Sequence, residues 1–377
     1  MSRAVGIRSL AVSFPSVLRT NEYWQKSCPG LVAEAEKAAL ARLWKKQREG
    51  AGAAVSGREP APSRAFDELM EPYVDDPFRG TVARRVLGPG ESALSLELRA
   101  ARDALAAARM SVGEIDCIIV ASFLPNQPGI GNSAFLSEAL EHRGAAWNLE
   151  TACTSGPVAL QNAAALIRAG EYRNVLVVIS CTYSRVMDES DSLCWFLGDG
   201  AGAFVVGASP DGAGILATKI VNTSRTCNTF YYDLMNDAAR GPKIRISAHE
   251  RTGRVLGEVS GPYLLECCDG ALAKAGLSRD DVDFFVFNTP TAWYGRFCAR
   301  ALGVPPERTI DTYPQYANIG PALMPVNLHA AARSGRIAAG DLVLVYSIGS
   351  VSSAGAVVMR WGDVGLGPEP APPSAVE

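Results

Sequence analysis

The chain has 377 residues, 48% of them hydrophobic and 20% charged, with a formal net charge of −3. This is an ordinary globular composition, long enough for one large domain or two intermediate ones, and its charge balance offers no footprint for nucleic acid or an anionic membrane surface. Nine cysteines without a CxxC pair or a Cys/His cluster argue against a disulfide framework and structural zinc, so a reduced, cytoplasmic protein is expected.

The first residues, MSRAVGIRSLAVSFPS, lack the long apolar core of a signal peptide, and no stretch approaches a membrane span. Residues 31–48 predict a helix with apolar Leu31, Leu40, Leu43 and Trp44 and a basic end at Lys45, Lys46 and Arg48; the Gly/Ala/Ser/Pro-rich stretch 49–63 reads as loop. Residues 97–122 (ELRAARDALAAARMSVGEIDCIIVAS) read as an Ala-rich helix, a short turn and a buried strand. The run Cys153-Thr154-Ser155-Gly156-Pro157 then precedes the helical ALQNAAALIRAGEYR and the strand NVLVVIS, and GDGAGAFVVG closes this half through a Gly-bearing hairpin. Residues 264–289 (LLECCDGALAKAGLSRDDVDFFVFNT) repeat the helix–turn–strand plan, with Asp283 opening the strand as Asp116 does in the first copy. Asn318-Ile319-Gly320-Pro321 precedes ALMPVNLHAAARSGRIAAGD and the strand LVLVYSI, and SVSSAGAVVMRW supplies the last hairpin. Residues 364–377 read as a disordered tail.

Two copies of a unit alternating helices with near-continuous apolar strands imply two mixed sheets with helices on their faces. The halves are expected at 1–208, carrying an insertion at about 22–80, and at 209–363. A pseudo-twofold relation would bring the helix start after Cys153 close to the loop at Asn318.

Cys153 stands where a helix begins, in ETACTSG. The positive end of a helix and its unpaired N–H groups favour thiolate, and the small neighbours Ala152, Ser155 and Gly156 leave room for an acyl group. A buried, inert cysteine in a tight turn is the alternative. Taken together, ETACTSG, FLGDGAGAFVVG, YANIGPA and the last hairpin resemble β-ketoacyl-ACP synthase III and its relatives in the thiolase superfamily, from about residue 80 to 361 plus the first strand.

The resemblance implies a thiolase-like α/β fold, layered α-β-α-β-α with mixed five-stranded sheets. It also implies that Cys153 carries the acyl group, and that the Asn318 amide holds the second thioester's carbonyl. Ser350 falls where the family has a glycine whose N–H completes an oxyanion hole with that of Cys153. Asn318 capping the following helix, and Ser350 as simple turn chemistry, stay open as alternatives.

The departure is at the family's histidine. Aligning DFFVF and the next helix puts Asn288 there, and Thr291 where a second asparagine is expected. An amide donates to an enolate oxygen but carries no proton, so a donor-only site favours decarboxylative condensation over acyl transfer to an amine or hydroxyl. His142 and His329 read as surface residues, and His249 as a remote substitute bordering the substrate tunnel. Trp293 and Tyr294 are candidates for the pocket lining, as are Pro128 and Ile130 in FLPNQPGIGNS, where relatives reach across a dimer. Lys45, Lys46 and Arg48, or Arg84 and Arg85, are candidates to attract an acidic carrier protein or a CoA phosphate; ordinary solvated charge is the alternative. No cofactor is expected, only acyl-CoA or acyl-carrier-protein thioesters as substrates, and a homodimer is implied. A catalytically silent partner subunit is the remaining reading.

Overall fold

The computed structural model describes residues 4–38, 68–209, 212–237 and 241–377. The first half contains strands β1 (Val5–Ser13) and β2 (Val17–Thr20), helix α1 (Asn21–Ser27), β3 (Ala83–Val86), α2 (Ala93–Ala108), β4 (Cys117–Phe123), α3 (Ser133–Leu140), β5 (Ala145–Asn148), α4 (Ser155–Ala169), β6 (Val175–Thr182) and β7 (Asp199–Ala208). There follow β8 (Gly214–Asn222), β9 (Phe230–Asp237), β10 (Gly241–Ala248), α5 (Thr252–Ala275), β11 (Phe284–Phe287), α6 (Tyr294–Leu302) and α7 (Leu323–Arg333). The chain ends with β12 (Leu342–Ile348), β13 (Ser353–Arg360) and the short β14 (Gly365–Leu366) and β15 (Ala375–Val376).

The internal echo is realised strand for strand. One sheet has the order β14-β1-β7-β6-β4-β5 and another β11-β12-β13-β8. In the first, β4 is parallel to β6, β6 antiparallel to β7 and β7 antiparallel to β1; β11, β12, β13 and β8 repeat those directions in order. Asp116 accepts the N–H groups of Arg173 and Asn174 at 2.7 and 3.0 Å, and Asp283 that of Leu342 at 2.8 Å, so each acid pins the start of the neighbouring central strand. The two sheets differ from the expected five strands only at their edges. The first gains β14, and in the second a single parallel bridge from Phe285 to Thr309 stands where β5 would be. Pro305 and Pro306, just before that bridge, have no N–H to extend a ladder.

Burial follows the layers. Leu96, Ala100 and Ala104 of α2 and Leu136 of α3 cover the outer face of the first sheet. Leu264, Cys268 and Leu272 of α5 and Phe297 of α6 cover the outer face of the second. Between the sheets, α4 (Ala159, Leu160, Ala163) and α7 (Met324, Leu328, Ala331) share one core with both inner faces. The order is α-β-α-β-α, and the starts of α4 and α7 meet at its centre.

Several expectations are corrected. Residues 364–377 are ordered: β14 pairs with β1, β15 pairs with β2, and Gly367 O lies 3.3 Å from the buried His329 Nε2. The Pro-rich composition hid this because such short pairings leave no periodicity. Arg84 and Arg85 are buried and bind backbone carbonyls, Arg84 that of Trp195 at 2.6 Å, Arg85 those of Pro15 and Ala371 at 3.0 and 2.6 Å. They tie the fold and present no charge to a carrier. His142 is also buried, 3.0 Å from Ile115 O, so neither it nor His329 is a surface residue. In the insertion, helical residues begin at 29, and Trp24 and Val32 pack with Phe78, Trp195 and Tyr183. Leu40, Leu43, Trp44, Lys45, Lys46, Arg48 and the loop at 49–63 lie outside the described residues.

Candidate active site

A short 3-10 turn, Ala152–Thr154, leads into α4 and carries Cys153. Ala152 has φ +51°, a left-handed conformation costly for a residue with a Cβ. Side chains hold this turn from all sides. Glu150 Oε1 accepts the Ala152 N–H at 2.5 Å, and Ser155 Oγ donates to Ala152 O at 2.7 Å. The Thr151 hydroxyl donates to Ser155 Oγ at 3.3 Å, and that of Thr154 donates to Ser353 O at 2.7 Å. At Gly156 a Cβ would stand 2.5 Å from Met324 Cε, the flexible end of a side chain on α7, so the starts of the two helices lie in close contact.

Cys153 is buried, with 8% of the residue's surface accessible. Burial, then the Glu150 carboxylate, push the thiol up to about 12; a hydrogen bond from Tyr183 opposes them. Burial and the carboxylate thus oppose the thiolate that the helix start favours. Removing a small anion from water outweighs the partial charge of one helix terminus.

The loop at 318 is laid on the first half by its backbone. Asn318 N–H donates to Phe196 O at 2.9 Å, and Gly198 N–H donates to Asn318 O at 3.0 Å. GDGAGA permits the contact: a Cβ at Gly198 would come 2.5 Å from Tyr316 O, and one at Gly202 2.6 Å from Pro325 Cβ. Asn318 Oδ1 accepts the Gly320 N–H at 2.8 Å, while Asn288 Nδ2 donates to Gly320 O at 2.9 Å. Both amides are thus fixed on one residue. Gly320 itself has φ +54°, and a Cβ there would lie 2.9 Å from Cys181 Sγ and 3.4 Å from the Tyr183 hydroxyl.

The contact of Asn318 Oδ1 with Gly320 N–H is an Asx turn; the helical turn Gly320–Ala322 has Ile319 at its N-cap and no side-chain cap. Asn288 differs from the donor-only expectation. One Nδ2 hydrogen is taken by Gly320, and its buried Oδ1 has no partner among the described residues. The site therefore holds an unsatisfied acceptor as well as donors.

Ser350 reaches the same centre through its turn. Its carbonyl accepts the Thr229 hydroxyl at 2.7 Å, and a Cβ on the preceding Gly349 would stand 2.8 Å from Thr151 O. Its own N–H makes no hydrogen bond among the described residues. Cys153, Asn288, Asn318 and Ser350 are thus linked through Gly320, Tyr183, Thr151 and Thr154.

Other candidates fall elsewhere. Trp293 packs with Tyr313 and Tyr73, its ring 6.2 Å from that of Tyr73, and Tyr294 sits in the outer core of the second sheet. Both are buried, in clusters separate from the one that holds Cys181 and Tyr183. Thr291 has a buried hydroxyl without a partner among the described residues. Pro128 and Ile130 are exposed. The His249 ring accepts the Arg251 N–H at 3.2 Å beside the start of α5, and its backbone N–H donates to Thr229 O at 2.9 Å.

Sequence reading missed Glu150, Cys181, Tyr183 and Tyr232. Glu150 had a signal, a carboxylate three residues before the candidate nucleophile. Tyr232 had none: the β9–β10 hairpin sets this 41% exposed side chain beside Phe123, with ring centroids 6.3 Å apart.

Residues 147–224 match the family described as 3-Oxoacyl-[acyl-carrier-protein (ACP)] synthase III, and residues 272–361 match the C-terminal part of that synthase. The chain is 34% identical over 312 residues to Beta-ketoacyl-[acyl-carrier-protein] synthase III of Cereibacter sphaeroides (strain ATCC 17025 / ATH 2.4.3), covering 80% of this chain and 94% of that protein. It is 32% identical over 294 residues to the protein of the same description from Sinorhizobium medicae (strain WSM419), covering 75% and 88%. The crystal structure of 3-oxoacyl-[acyl-carrier-protein] synthase III from Aquifex aeolicus VF5 matches with a TM-score of 0.73 at 25% identity, covering 95% of this chain and 100% of that one. The priming β-ketosynthase from the R1128 polyketide biosynthetic pathway shares the fold, with a TM-score of 0.75 at 20% identity over 96% and 98% of the two chains.

Proposed function

The chain belongs to the β-ketoacyl-[acyl-carrier-protein] synthase III family, and on that premise we propose that it loads an acyl group on Cys153 and joins it to a malonyl-type thioester. The observation that carries this reading is the convergence of Asn288 and Asn318 on Gly320, beside the turn that holds Cys153. Cys153 Sγ attacks the donor thioester, forming a new C–S bond as the carrier thiol leaves. Loss of CO₂ from the malonyl thioester gives an enolate whose oxygen takes a hydrogen bond from Asn318 Nδ2. The enolate carbon then attacks the acyl-cysteine. The N–H groups of Cys153 and Ser350 stabilise the tetrahedral oxyanion, and its collapse releases a β-ketoacyl thioester and a Cys153 thiolate, which takes up a proton.

No step after loading calls for a histidine base, which suits Asn288. Absence of the family histidine favours polyketide or other specialised biosynthesis over housekeeping initiation. Acyl-CoA or an acyl carrier protein delivers the thioesters in this reading, and the enzyme works as a homodimer. A second reading, acyl transfer from Cys153 to an amine or hydroxyl, draws support from Asn288 Oδ1, a buried acceptor suited to an N–H or O–H.

Intact mass spectrometry after incubation with a panel of acyl-CoA and acyl-carrier thioesters tests loading. An adduct lost in Cys153→Ala, followed by CO₂ release from a malonyl thioester, is the expected result. An adduct discharged onto an amine or alcohol without CO₂ release selects the second reading. No adduct with any thioester overturns both and leaves a silent partner subunit.

A further inference from the structure

A 3-10 turn holds three residues, so side chains three apart share one face. In the segment after β8 these are Thr223, Thr226 and Thr229, all fully buried, while Ser224, Arg225, Cys227 and Asn228 between them are exposed. Backbone bonds keep the spacing: Thr226 N–H donates to Thr223 O at 2.8 Å, and Thr229 N–H donates to Thr226 O at 3.1 Å. The far end is tied to the start of α5, where the Thr252 hydroxyl donates to Thr229 O at 2.5 Å.

The buried face meets the turn that carries Ser350. Thr223 N–H donates to Ser352 O at 2.9 Å, the Thr223 hydroxyl to Gly349 O at 3.1 Å and the Thr229 hydroxyl to Ser350 O at 2.7 Å. The same turn rests on the segment of Cys153: the Thr154 hydroxyl donates to Ser353 O at 2.7 Å, and a Cβ on Gly349 would stand 2.8 Å from Thr151 O. A trans peptide carries its C=O and N–H in one plane, pointing in opposite directions. Gly349 O and Ser350 N–H belong to one peptide, so the bond from Thr223 to that carbonyl sets where the N–H points. Gly349 O also accepts the Ser352 N–H at 3.1 Å, which closes the turn without help. Thr223 therefore adds aim. Neither Gly349 nor Ser350 has a positive φ, so a serine fits where the family has glycine.

We propose that Thr223 is a positioning residue for acyl transfer: its hydroxyl fixes the Gly349–Ser350 peptide so that the Ser350 N–H is presented to the oxyanion formed on Cys153. In the loading step, Sγ bonds to the thioester carbonyl carbon and the carbonyl π pair moves to oxygen. Its return expels the carrier thiolate, which takes up the proton that Cys153 gave up. A donor aimed beforehand at that oxygen spares reorganisation as the charge develops. The role of Thr223 rests on the reading of Cys153 as acyl carrier with the Ser350 N–H as oxyanion donor, but not on which acceptor later receives the acyl group.

Thr223→Val keeps the shape of the side chain and removes its donor. Acylation of Cys153 by an acyl-CoA builds an oxyanion, whereas alkylation by iodoacetamide displaces iodide at a saturated carbon and builds none. Both reactions are followed by mass at the Cys153 peptide. T223V is expected to slow acylation at saturating acyl-CoA by about ten- to a hundred-fold, with the half-saturating concentration unchanged, because the bond counts only once the oxyanion forms. Alkylation should keep its wild-type rate, and Thr223→Ser, which retains the hydroxyl, should restore acylation. Acylation by T223V at the wild-type rate overturns the proposal. An equal fall in both reactions also overturns it, since that marks a general loosening around Cys153. If T223V does not fold, the same pair of rates is read in Thr223→Ala, with the same two refuting results. A wild-type enzyme alkylated at Cys153 yet acylated by no thioester overturns the acyl-carrier reading itself, a result distinct from both.

Discussion

Replacing Gly320 by alanine is expected to cost stability and to uncouple the two half-reactions. A left-handed φ of +54° costs an L-residue about 1–2 kcal/mol. The added Cβ would stand 2.9 Å from Cys181 Sγ, inside van der Waals contact, and such overpacking costs about 1–3 kcal/mol. The sum, about 2–5 kcal/mol, is read as a fall in the urea midpoint. The peptide of Gly320 is also the anchor of Asn318 Oδ1 at 2.8 Å and Asn288 Nδ2 at 2.9 Å, so its displacement turns both amides. Loss of an aligned donor slows such a step by about a hundred-fold or more. CO₂ release from a malonyl thioester should fall accordingly, while acylation of Cys153, followed by mass, persists. Cys181→Ala opens the space and is expected to restore part of the lost stability in the double variant. A Gly320→Ala enzyme with the parent's urea midpoint and undiminished CO₂ release would refute the idea that this peptide organises the site.

Other consequences are more compact. Alkylation of Cys153 by iodoacetamide should rise about tenfold per pH unit from 7 to 10 without levelling, because the thiol is pushed up to about 12; a plateau below pH 8 would mean that the helix start prevails over burial. Asn288→Ala leaves the Gly320 carbonyl without its donor and is expected to cost about 1–3 kcal/mol, measured by urea unfolding, and to slow decarboxylation; unchanged stability would show that the bond is immaterial. Truncation after residue 363 removes the Ala371 carbonyl that Arg85 binds at 2.6 Å and the strand beside β1. A loss of at least about 2 kcal/mol should appear in thermal or urea unfolding, and a truncated chain as stable as the parent would restore the view of a free tail.

Much of the site was legible because the internal repeat is carried by strong local signals. Continuous apolar runs, Ala-rich helices and glycine turns recur in the same order, and that order alone demanded two related sheets and a meeting of Cys153 with the 318 loop. Asn288 was found by aligning one strand and the next helix. What the residues lacked was direction. Trp293 and Tyr294 follow Asn288 closely, yet β11 ends so that Asn288 turns inward while they enter other clusters. Arg84 and Arg85 look like surface charge until β3 is seen beside the first strands, where their guanidinium groups meet backbone carbonyls.

Residue type and local order determined the two related helix–strand halves, since periodicity and turn chemistry act over neighbouring residues, and the family resemblance marked the candidate nucleophile and the histidine's place at Asn288. Tertiary structure alone decided the burial of Cys153, the hydrogen bond of Asn288 to Gly320 and the company of Tyr183. Those depend on burial and on electric fields between segments far apart in the chain. Such effects fall off with distance through space, and the order of residues along the chain does not reveal that distance.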